Sequence, residues 1–220
     1  MIRNLWPKDI LEAKKIQGIL RKRVKIMPLK KIPELIAGVD AAFADDKVAA
    51  VAALYKYPEL EFLKDTFAEE EMRFPYIPGL LSFREGHAII SAIRKLNAKL
   101  DVILFDGQGI AHPKGIGIAS HIGVILDVPT IGCAKSRLVG EFKELGFKKG
   151  SWTYLYCKGI KVGAVLRTRS NVKPVFVSPG HKIDIDSSVE IVMNCVSKYR
   201  IPEPIRKADR LSKRHIKSLE

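Results

Sequence analysis

Features that mark several protein classes are scarce in this chain. Its three cysteines, Cys133, Cys157 and Cys195, lie far apart and form no Cys-x-x-Cys pair. This spacing argues against a disulfide framework and a zinc site, and suits a reducing compartment. The longest unbroken apolar run, residues 48–55, is too short to cross a bilayer. The amino terminus lacks the apolar core of a signal peptide, so we expect a cytoplasmic protein with no membrane partner.

The sequence also lacks the motifs of three large enzyme classes. It contains no Walker A sequence, no Gly-x-Gly-x-x-Gly and no Ser/His/Asp set with nucleophile-elbow spacing. Nucleoside triphosphate hydrolysis, hydride transfer and acyl transfer are therefore disfavoured. Acidic residues are in the minority, with 24 Asp and Glu against 38 Lys and Arg, a net charge of +14. This excess favours a polyanion such as nucleic acid, because neutralising phosphates releases counterions. A lysine-rich surface that serves solubility or heat stability is the alternative.

The length of 220 residues and the 47% hydrophobic content indicate a single domain, residues 1–220, with a well-covered core. Hydrophobic periodicity and turn residues predict its elements. We predict helices at 9–25, 88–99, 116–126 and 185–199, strands at 35–43, 48–57, 62–70, 101–106 and 130–134, a hairpin at 152–168 and an extended segment at 175–177. Antiparallel strands followed by alternating helices and strands predict an α/β fold with a mixed sheet.

One glycine-rich turn stands out. A buried strand leads into Asp106, and Gly107, Gly109 and His112 follow. A carboxylate at a strand end among residues without side chains suggests a ligand or metal that approaches the backbone closely. Asp40 ends another apolar run, and two neighbouring carboxylates would favour Mg²⁺ or Mn²⁺ between them. A turn-capping or lysine-paired aspartate is the alternative at either position.

Four further positions could carry function. Glu85 precedes a helical stretch and could be a third acidic ligand or an ordinary helix cap. His181 follows a predicted strand end, where functional groups gather in α/β folds. Lys135 directly follows the 130–134 strand, where it could reach a phosphate or remain a surface lysine. Two prolines stiffen the segment 75–79, so it could be an apolar wedge between bases or a plug of the core.

Together these segments closely resemble the endonuclease V family. The matching stretches are Gly38-Val-Asp40, Pro75-Tyr-Ile-Pro-Gly-Leu-Leu-Ser-Phe-Arg-Glu85, Asp106-Gly-Gln-Gly-Ile-Ala-His112-Pro, Gly132-Cys-Ala-Lys135, Ser178-Pro-Gly-His181 and the tail from Arg200 to Asp209. They extend from about residue 35 to residue 210 in the family's order. The resemblance implies a ribonuclease-H-like mixed sheet flanked by helices. It also implies a DNA repair endonuclease that recognises deoxyinosine.

The resemblance further implies the reaction and its residues. The cut would fall at the second phosphodiester bond 3′ to the inosine, leave 3′-hydroxyl and 5′-phosphate ends, and require Mg²⁺, with Mn²⁺ able to substitute. Carried over by motif, Asp40, Asp106 and Glu85 would hold the metal, while Lys135 and His181 would complete the catalytic set. The expected base-binding residues are Tyr76, Pro75, Ile77, Pro78, Gly79, Leu81, Gly107, Gly109 and His112.

Several alternatives stay open at this point. The substrate could be inosine-containing RNA, since no sequence feature reports on contacts to a 2′-hydroxyl. A non-catalytic module that only binds nucleic acid, or a glycosylase that removes the base, would also suit a basic chain. Asp186 could be another acidic ligand, although we favour it as the N-cap of the following helix. We expect a monomer.

Overall fold

The structure is a computed structural model that describes residues 6–217. Within this range the chain forms five helices and eight strands. The helices are α1 (Ile10–Arg21), α2 (Leu81–Lys95), α3 (Ile118–Leu126), α4 (Ile185–Asn194) and α5 (Glu203–Lys217). The strands are β1 (Leu35–Ala44), β2 (Lys47–Lys56), β3 (Glu61–Glu71), β4 (Val102–Phe105), β5 (Thr130–Ala134), β6 (Trp152–Cys157), β7 (Ile160–Leu166) and β8 (Val175–His181).

All eight strands form one mixed sheet in the order β3-β2-β1-β4-β5-β8-β7-β6. The first three are antiparallel neighbours, β1, β4 and β5 run parallel, and β8, β7 and β6 return antiparallel. The predicted mixed α/β sheet is therefore confirmed. Among residues 6–217, none of the helices combines the length and the apolar character that a bilayer crossing demands.

Helices cover both faces of this sheet. On one face α2 and α3 bury Ile89, Ile93 and Ile122 against strand residues such as Ile103. On the other face α4 and α5 pack on the sheet through apolar residues such as Val192 and Ile205. Helix α1 packs against α3, and its buried Ile16 and Leu20 belong to a cluster that includes Phe74 and Phe83.

Most predicted elements are confirmed with small shifts, but four helices differ from the prediction. Helices α1 and α2 end at Arg21 and Lys95, rather than at residues 25 and 99 as predicted. Helix α2 begins at Leu81 rather than at residue 88, because Ser82, Phe83 and Gly86 already face the interior. Helix α4 ends at Asn194 rather than at residue 199. Helix α5 was absent from the prediction, although its buried residues recur at helical spacing.

The register of the parallel strands determines how close the candidate site residues lie to one another. Val39 of β1 pairs with Phe105 of β4, so Asp40 and Asp106 are each the next residue on neighbouring strands. Phe105 in turn pairs with Gly132 of β5, whose continuation reaches Lys135. Asp40 is not at a strand end as predicted, because β1 continues to Ala44 along β2.

The approach of α5 to β1 depends on one glycine. A Cβ atom on Gly38 would lie 2.1 Å from the carbonyl carbon of Pro204, far inside contact distance. Only a residue without a side chain therefore lets the start of α5 rest directly on β1. This close contact brings the next turns of α5 over the carboxyl half of β1.

Candidate active site

Three aspartates meet at the carboxyl end of β4. Asp40 of β1, Asp106 after β4 and Asp209 of α5 each offer one carboxylate oxygen, and these oxygens all lie within 4.8 Å of one another. All three residues are half-buried. Hard oxygen ligands at this spacing match the donor set that Mg²⁺ and Mn²⁺ select. The cluster could therefore hold a divalent metal ion.

Asp209 was not among the predicted site residues. The sequence did contain a signal, because Ile205, Ala208 and Ser212 follow helical spacing and place Asp209 next to a buried face. Ser212, one turn further along α5, donates its hydroxyl to Asp40 Oδ2 at 2.8 Å. Helix α5 thus contributes both a carboxylate and a hydroxyl to the same site.

The electrostatics show that these carboxylates repel one another. Burial raises the pKa of Asp40 to about 6, with further increases from Asp106 and Asp209, although the Ser212 hydroxyl acts in the opposite direction. Burial raises the pKa of Glu85 to about 8, and the charges of Asp40 and Asp106 add to the rise. Glu85 of α2 therefore faces the same acidic site, outside the closest cluster. Acidic groups that are buried together in this way are stabilised in their charged form when a cation lies between them.

Lys135 is the main cation beside the aspartates. Its Nζ lies 2.5 Å from Asp106 Oδ2 and 3.8 Å from Asp209 Oδ1. Partial burial lowers the pKa of Lys135, but the hydrogen bond and the aspartate charges outweigh that effect, so its pKa is raised. Lys213 also contacts Asp209 Oδ1, at 2.7 Å. Lys135, which was predicted to reach a phosphate, is thus held beside the predicted ligand Asp106 and the unpredicted Asp209.

The proline-bounded loop precedes α2. Tyr76 is 65% exposed, and its ring centroid lies 5.8 Å from the Arg84 guanidinium carbon. Pro75 and Pro78 are also exposed, whereas the half-buried Ile77 packs against the cluster around Phe83. The loop therefore combines an inward anchor at Ile77 with a projecting aromatic ring, which is the shape expected of a wedge.

Gly79 and His112 meet beside this loop. Gly79 has a φ of +83°, and a Cβ atom there would lie 3.6 Å from the His112 ring. The backbone N–H of Lys114 donates to His112 Nδ1 at 3.2 Å, so the neutral ring carries its proton on Nε2. Burial, together with the Lys114 charge, lowers the pKa of His112 to about 4. His112 therefore presents a neutral N–H donor next to Gly79 near pH 7.

The two glycines after Asp106 are held by internal packing. The Gly109 N–H donates to Ser178 Oγ at 2.7 Å, and its carbonyl accepts from the Gly117 N–H at 2.8 Å. A Cβ atom on Gly107 would lie 2.8 Å from Ile118 Cγ2. Both backbone groups of Gly109 are thus used within the protein. Leu81 opens α2 directly after Gly79 and Leu80, so it lies on the same side of the site as the loop.

His181 is not brought to the carboxylates. It pairs with Thr130, the first residue of β5, and so lies at the amino ends of the parallel strands, whereas Asp106 and Lys135 lie at their carboxyl ends. Its Nε2 lies 3.2 Å from Asp127 Oδ1, and its Nδ1 accepts from the Lys25 N–H at 3.3 Å. The sequence placed His181 after a strand but could not show that β8 runs antiparallel to β5.

Asp186 is neither a member of the cluster nor a helix cap. Asp184 is the N-cap of α4, accepting from the Ser187 N–H at 2.9 Å. Asp186 lies in the first turn and accepts from the Tyr154 hydroxyl at 3.1 Å. The predicted N-cap was therefore wrong by two positions, because Asp184 has the extended backbone that a cap requires.

Comparison with known proteins gives this geometry a context. The family model for endonuclease V matches residues 19–210. Endonuclease V of Dictyoglomus turgidum is 49% identical over 207 residues, which covers 94% of this chain and 91% of that protein. Endonuclease V of Methanothrix thermoacetophila is 50% identical over 201 residues, covering 91% of this chain and 89% of that protein.

Solved structures of endonuclease V also resemble this chain. The crystal structure of endonuclease V from Streptomyces avermitilis matches with a TM-score of 0.93 and 39% identity, over 97% of this chain and 96% of that one. Endonuclease V of Ciona intestinalis, in complex with a 24mer DNA containing an inosine followed by a ribo-adenosine, matches with a TM-score of 0.84 and 28% identity, over 96% and 99% of the two chains. The expected ribonuclease-H-like fold is thereby confirmed. On these matches over nearly its whole length, the chain belongs to the endonuclease V family of nucleases, which hydrolyse phosphodiester bonds in nucleic acids.

Proposed function

We propose that this protein is a DNA repair endonuclease that recognises deoxyinosine and hydrolyses the second phosphodiester bond on its 3′ side. The products would carry a 3′-hydroxyl and a 5′-phosphate. The observation that carries the proposal is the meeting of Asp40, Asp106 and Asp209 with Lys135 at one end of the sheet. Family membership and the inosine-containing strand bound by the Ciona relative support the substrate.

Asp40, Asp106 and Asp209 would hold the metal ion, and Glu85 would add a fourth carboxylate from α2. Mg²⁺ is the proposed ion, with Mn²⁺ as its substitute, because both prefer oxygen ligands. Such an ion supplies positive charge against the negative charge that gathers on the phosphoryl oxygens during hydrolysis. The oxygens of the cluster already lie close enough together to share one cation.

Lys135 has a second partner available in this scheme. Its ammonium group is held at 2.5 Å by Asp106. A cation among the aspartates would weaken that attraction and leave the Lys135 ammonium available to a phosphate oxygen of the strand. Lys135 would then stabilise the extra charge of the transition state by a direct hydrogen bond.

Base recognition would take place beside the loop 75–79. The exposed Tyr76 ring would fill the space of the extruded base, with Pro75, Ile77 and Pro78 keeping the loop stiff. Gly79, Leu81 and Gly107 would let the backbone approach the hypoxanthine edge closely. The neutral His112 would offer its Nε2–H donor to an acceptor of that edge.

Three further predictions concern the domain, the oligomeric state and the cellular location of the protein. A single sheet that spans most of the described chain supports the prediction of one domain over residues 1–220. The monomeric state and the cytoplasmic location remain predictions. His181 is left out of the proposed catalytic set, because it lies at the other end of the sheet.

A denaturing-gel nicking assay tests the proposal. An end-labelled strand with one deoxyinosine is incubated with Mg²⁺, with EDTA, and with Mg²⁺ plus Asp40→Ala. We expect cleavage one nucleotide beyond the inosine by the wild-type protein with Mg²⁺ alone. Tyr76→Ala should bind the inosine strand more weakly while its metal affinity stays unchanged, and equal strand affinity would remove the wedge role.

RNA is the second candidate substrate, and one observation favours including it. The strand bound by the Ciona relative contains a ribo-adenosine after the inosine. Matched strands with inosine in DNA, inosine in RNA, and deoxyinosine followed by a single ribonucleotide separate the candidates. A wild-type protein that cuts only where a 2′-hydroxyl follows the inosine would shift the function to a ribonuclease.

A further inference from the structure

We infer that the cleft between α1 and the turn 112–116 binds backbone phosphates of the nucleic acid strand on the 5′ side of the extruded base. The inference rests on the proposed function, because the cut on the 3′ side fixes the direction of the strand. The cleft has a volume of about 310 Å³ and is lined by Lys14, Gln17, Gly18, Arg21 and Lys114.

Its lining is entirely without acidic residues. Lys14, Arg21 and Lys114 are exposed, and they line the cleft together with the neutral Gln17 and Gly18. None of the three cations forms a salt bridge within the part of the chain that the structure describes. Other surface lysines do form salt bridges with carboxylates, for example Lys47 with Glu69 at 2.7 Å. Three cations around one opening without a counter-charge fit a polyanion.

Two contacts fix the walls of this cleft. The Arg21 guanidinium lies against Gly115, where a Cβ atom would be 3.0 Å from Arg21 Nε. Gly115 has a φ of +66°, a conformation that favours glycine. The guanidinium is therefore seated on the backbone of the turn instead of extending freely into solvent.

A second contact ties the cleft to the base-binding loop. Gln17, which is 4% exposed, donates its Nε2 to the Gly79 carbonyl at 2.8 Å. Gly79 also lies against the His112 ring. One buried side chain thus joins α1 to the loop that carries Tyr76, so the cleft and the proposed base pocket keep a fixed spacing.

The course of the turn sets the order of the sites. It leaves the carboxylates at Asp106, and the Gly117 N–H returns to the Gly109 carbonyl at 2.8 Å, so residues 112–115 form its far end. His112 at this end faces the base pocket, and Lys114 faces the cleft. The base pocket therefore lies between the carboxylates and the cleft. With the scissile phosphate on the 3′ side of the base, the cleft receives phosphates on the 5′ side.

The experiment compares two double variants of equal charge. Arg21→Ala with Lys114→Ala removes two cations of the cleft. The control, Lys15→Ala with Lys22→Ala, removes two exposed lysines of the same α1 segment that do not line the cleft. All four side chains are exposed, and unchanged melting temperatures would verify folding. Cleavage kinetics are measured on a deoxyinosine strand and on the same strand with neutral methylphosphonate linkages 5′ to the inosine.

We expect the cleft variant to lose at least about tenfold in kcat/KM on the charged strand, as for the loss of charged phosphate contacts. The salt dependence of its binding should also become shallower by about 1.4 units of slope, since each of the two lost phosphate contacts contributes about 0.7 on a single strand. On the methylphosphonate strand it should equal the wild-type protein. The control variant should lose much less on the charged strand.

Each other outcome overturns the inference. Equal losses for the two double variants would mean that only overall charge matters. A cleft-variant loss that persists on the methylphosphonate strand would place its contacts elsewhere, and no loss would leave the cleft without a role. The wild-type rate on inosine against unmodified DNA tests the proposed function separately, since it involves no cleft substitution.

Discussion

The two ends of the parallel strands treat their aspartates in opposite ways. At the carboxyl ends, burial and mutual repulsion raise the pKa of Asp40 to about 6. At the amino ends, burial alone would raise the pKa of Asp101, but hydrogen bonds from Lys31 and two backbone N–H groups lower it instead. Asp127 there is paired with Lys182 at 2.6 Å, and its pKa is also lowered. At the amino ends each aspartate has its own donors, whereas at the carboxyl ends three carboxylates lie together and Lys135 and Lys213 neutralise them only in part.

We therefore expect the aspartates at the amino ends to matter for stability and those at the carboxyl ends to matter for activity. Asp101 and Asp127 stabilise the fold through their donors, whereas the ionised Asp40, buried beside two other carboxylates, destabilises it until a cation binds. Substitutions of the same chemical type should therefore have opposite consequences at the two ends. The following predictions test that difference, from the largest expected effect to the smallest.

Asp209→Asn should reduce the cleavage rate by at least about a hundredfold, because the substitution removes one negative charge from the proposed metal site. The matched change at the opposite end is Asp127→Asn, which keeps the left-handed backbone (φ +55°) that asparagine tolerates. That variant should retain wild-type rates in the same nicking assay. Similar rates for Asp209→Asn and the wild-type protein would exclude Asp209 from the site.

Gly38→Ala should destabilise the protein by about 3 kcal/mol and impair cleavage, because the new Cβ displaces α5 and its Asp209 from β1. Gly18→Ala is the control for stability alone, since a Cβ there meets nothing within 4 Å on an exposed helical position but Gly18 also lines the proposed phosphate cleft. It should stabilise the protein by up to about 1 kcal/mol. Urea unfolding and the nicking assay measure both effects. A Gly38→Ala protein as stable as wild type would contradict the close packing of α5.

Protonation of Glu85 and Asp40 should stabilise the metal-free protein as the pH falls from 8 to 6. Glu85 has its pKa raised to about 8 and Asp40 to about 6, so the folded state takes up protons in this range that the unfolded state does not. The buried His112 and His121 oppose this gain, because burial lowers their pKa values to about 4 and about 3 while their unfolded imidazoles take up protons in the same range. The histidines act equally in wild type and in Glu85→Gln, so the two proteins are compared by urea unfolding in EDTA. The stability of wild type relative to Glu85→Gln should rise by on the order of 2 kcal/mol from pH 8 to pH 6. Added Mg²⁺ should stabilise the protein most at high pH, where the carboxylates are charged.

Asp101→Ala should cost about 1–2 kcal/mol in stability with no change in cleavage rate. Its Oδ2 accepts from the N–H groups of Glu34 at 2.9 Å and Leu35 at 3.1 Å, and both donors would lose their partner. The same unfolding experiment at neutral pH measures the loss. A fall in cleavage rate without a fall in stability would break the proposed division between the two ends.

Local patterns in the sequence were sufficient for most of the sheet. Apolar runs marked β1, β2 and β5, and the Lys158-Gly159 turn marked the hairpin of β6 and β7. Helix α5 was missed because charged residues dominate it, with its apolar positions spread over one narrow face. Helix α2 was predicted too short, since its first turn lacks a side-chain cap.

The site was predictable only where neighbouring strands fix it. Asp40 and Asp106 follow from the register of parallel strands, and Lys135 follows from the end of β5. Asp209 depends on how α5 packs across β1, and the place of His181 depends on the direction of β8. Both are long-range properties that residue spacing within one segment does not contain.

The packing of α5 on Gly38 also has a consequence for synthesis in the cell. In the described chain α5 follows all other elements in sequence, so a ribosome makes it after the sheet is complete. Until then the growing chain has Asp40 and Asp106 but not Asp209 or the Ser212 hydroxyl. In the proposed metal site the last ligand is supplied by α5, so we expect the protein to stay inactive until α5 has been synthesised and packed on β1.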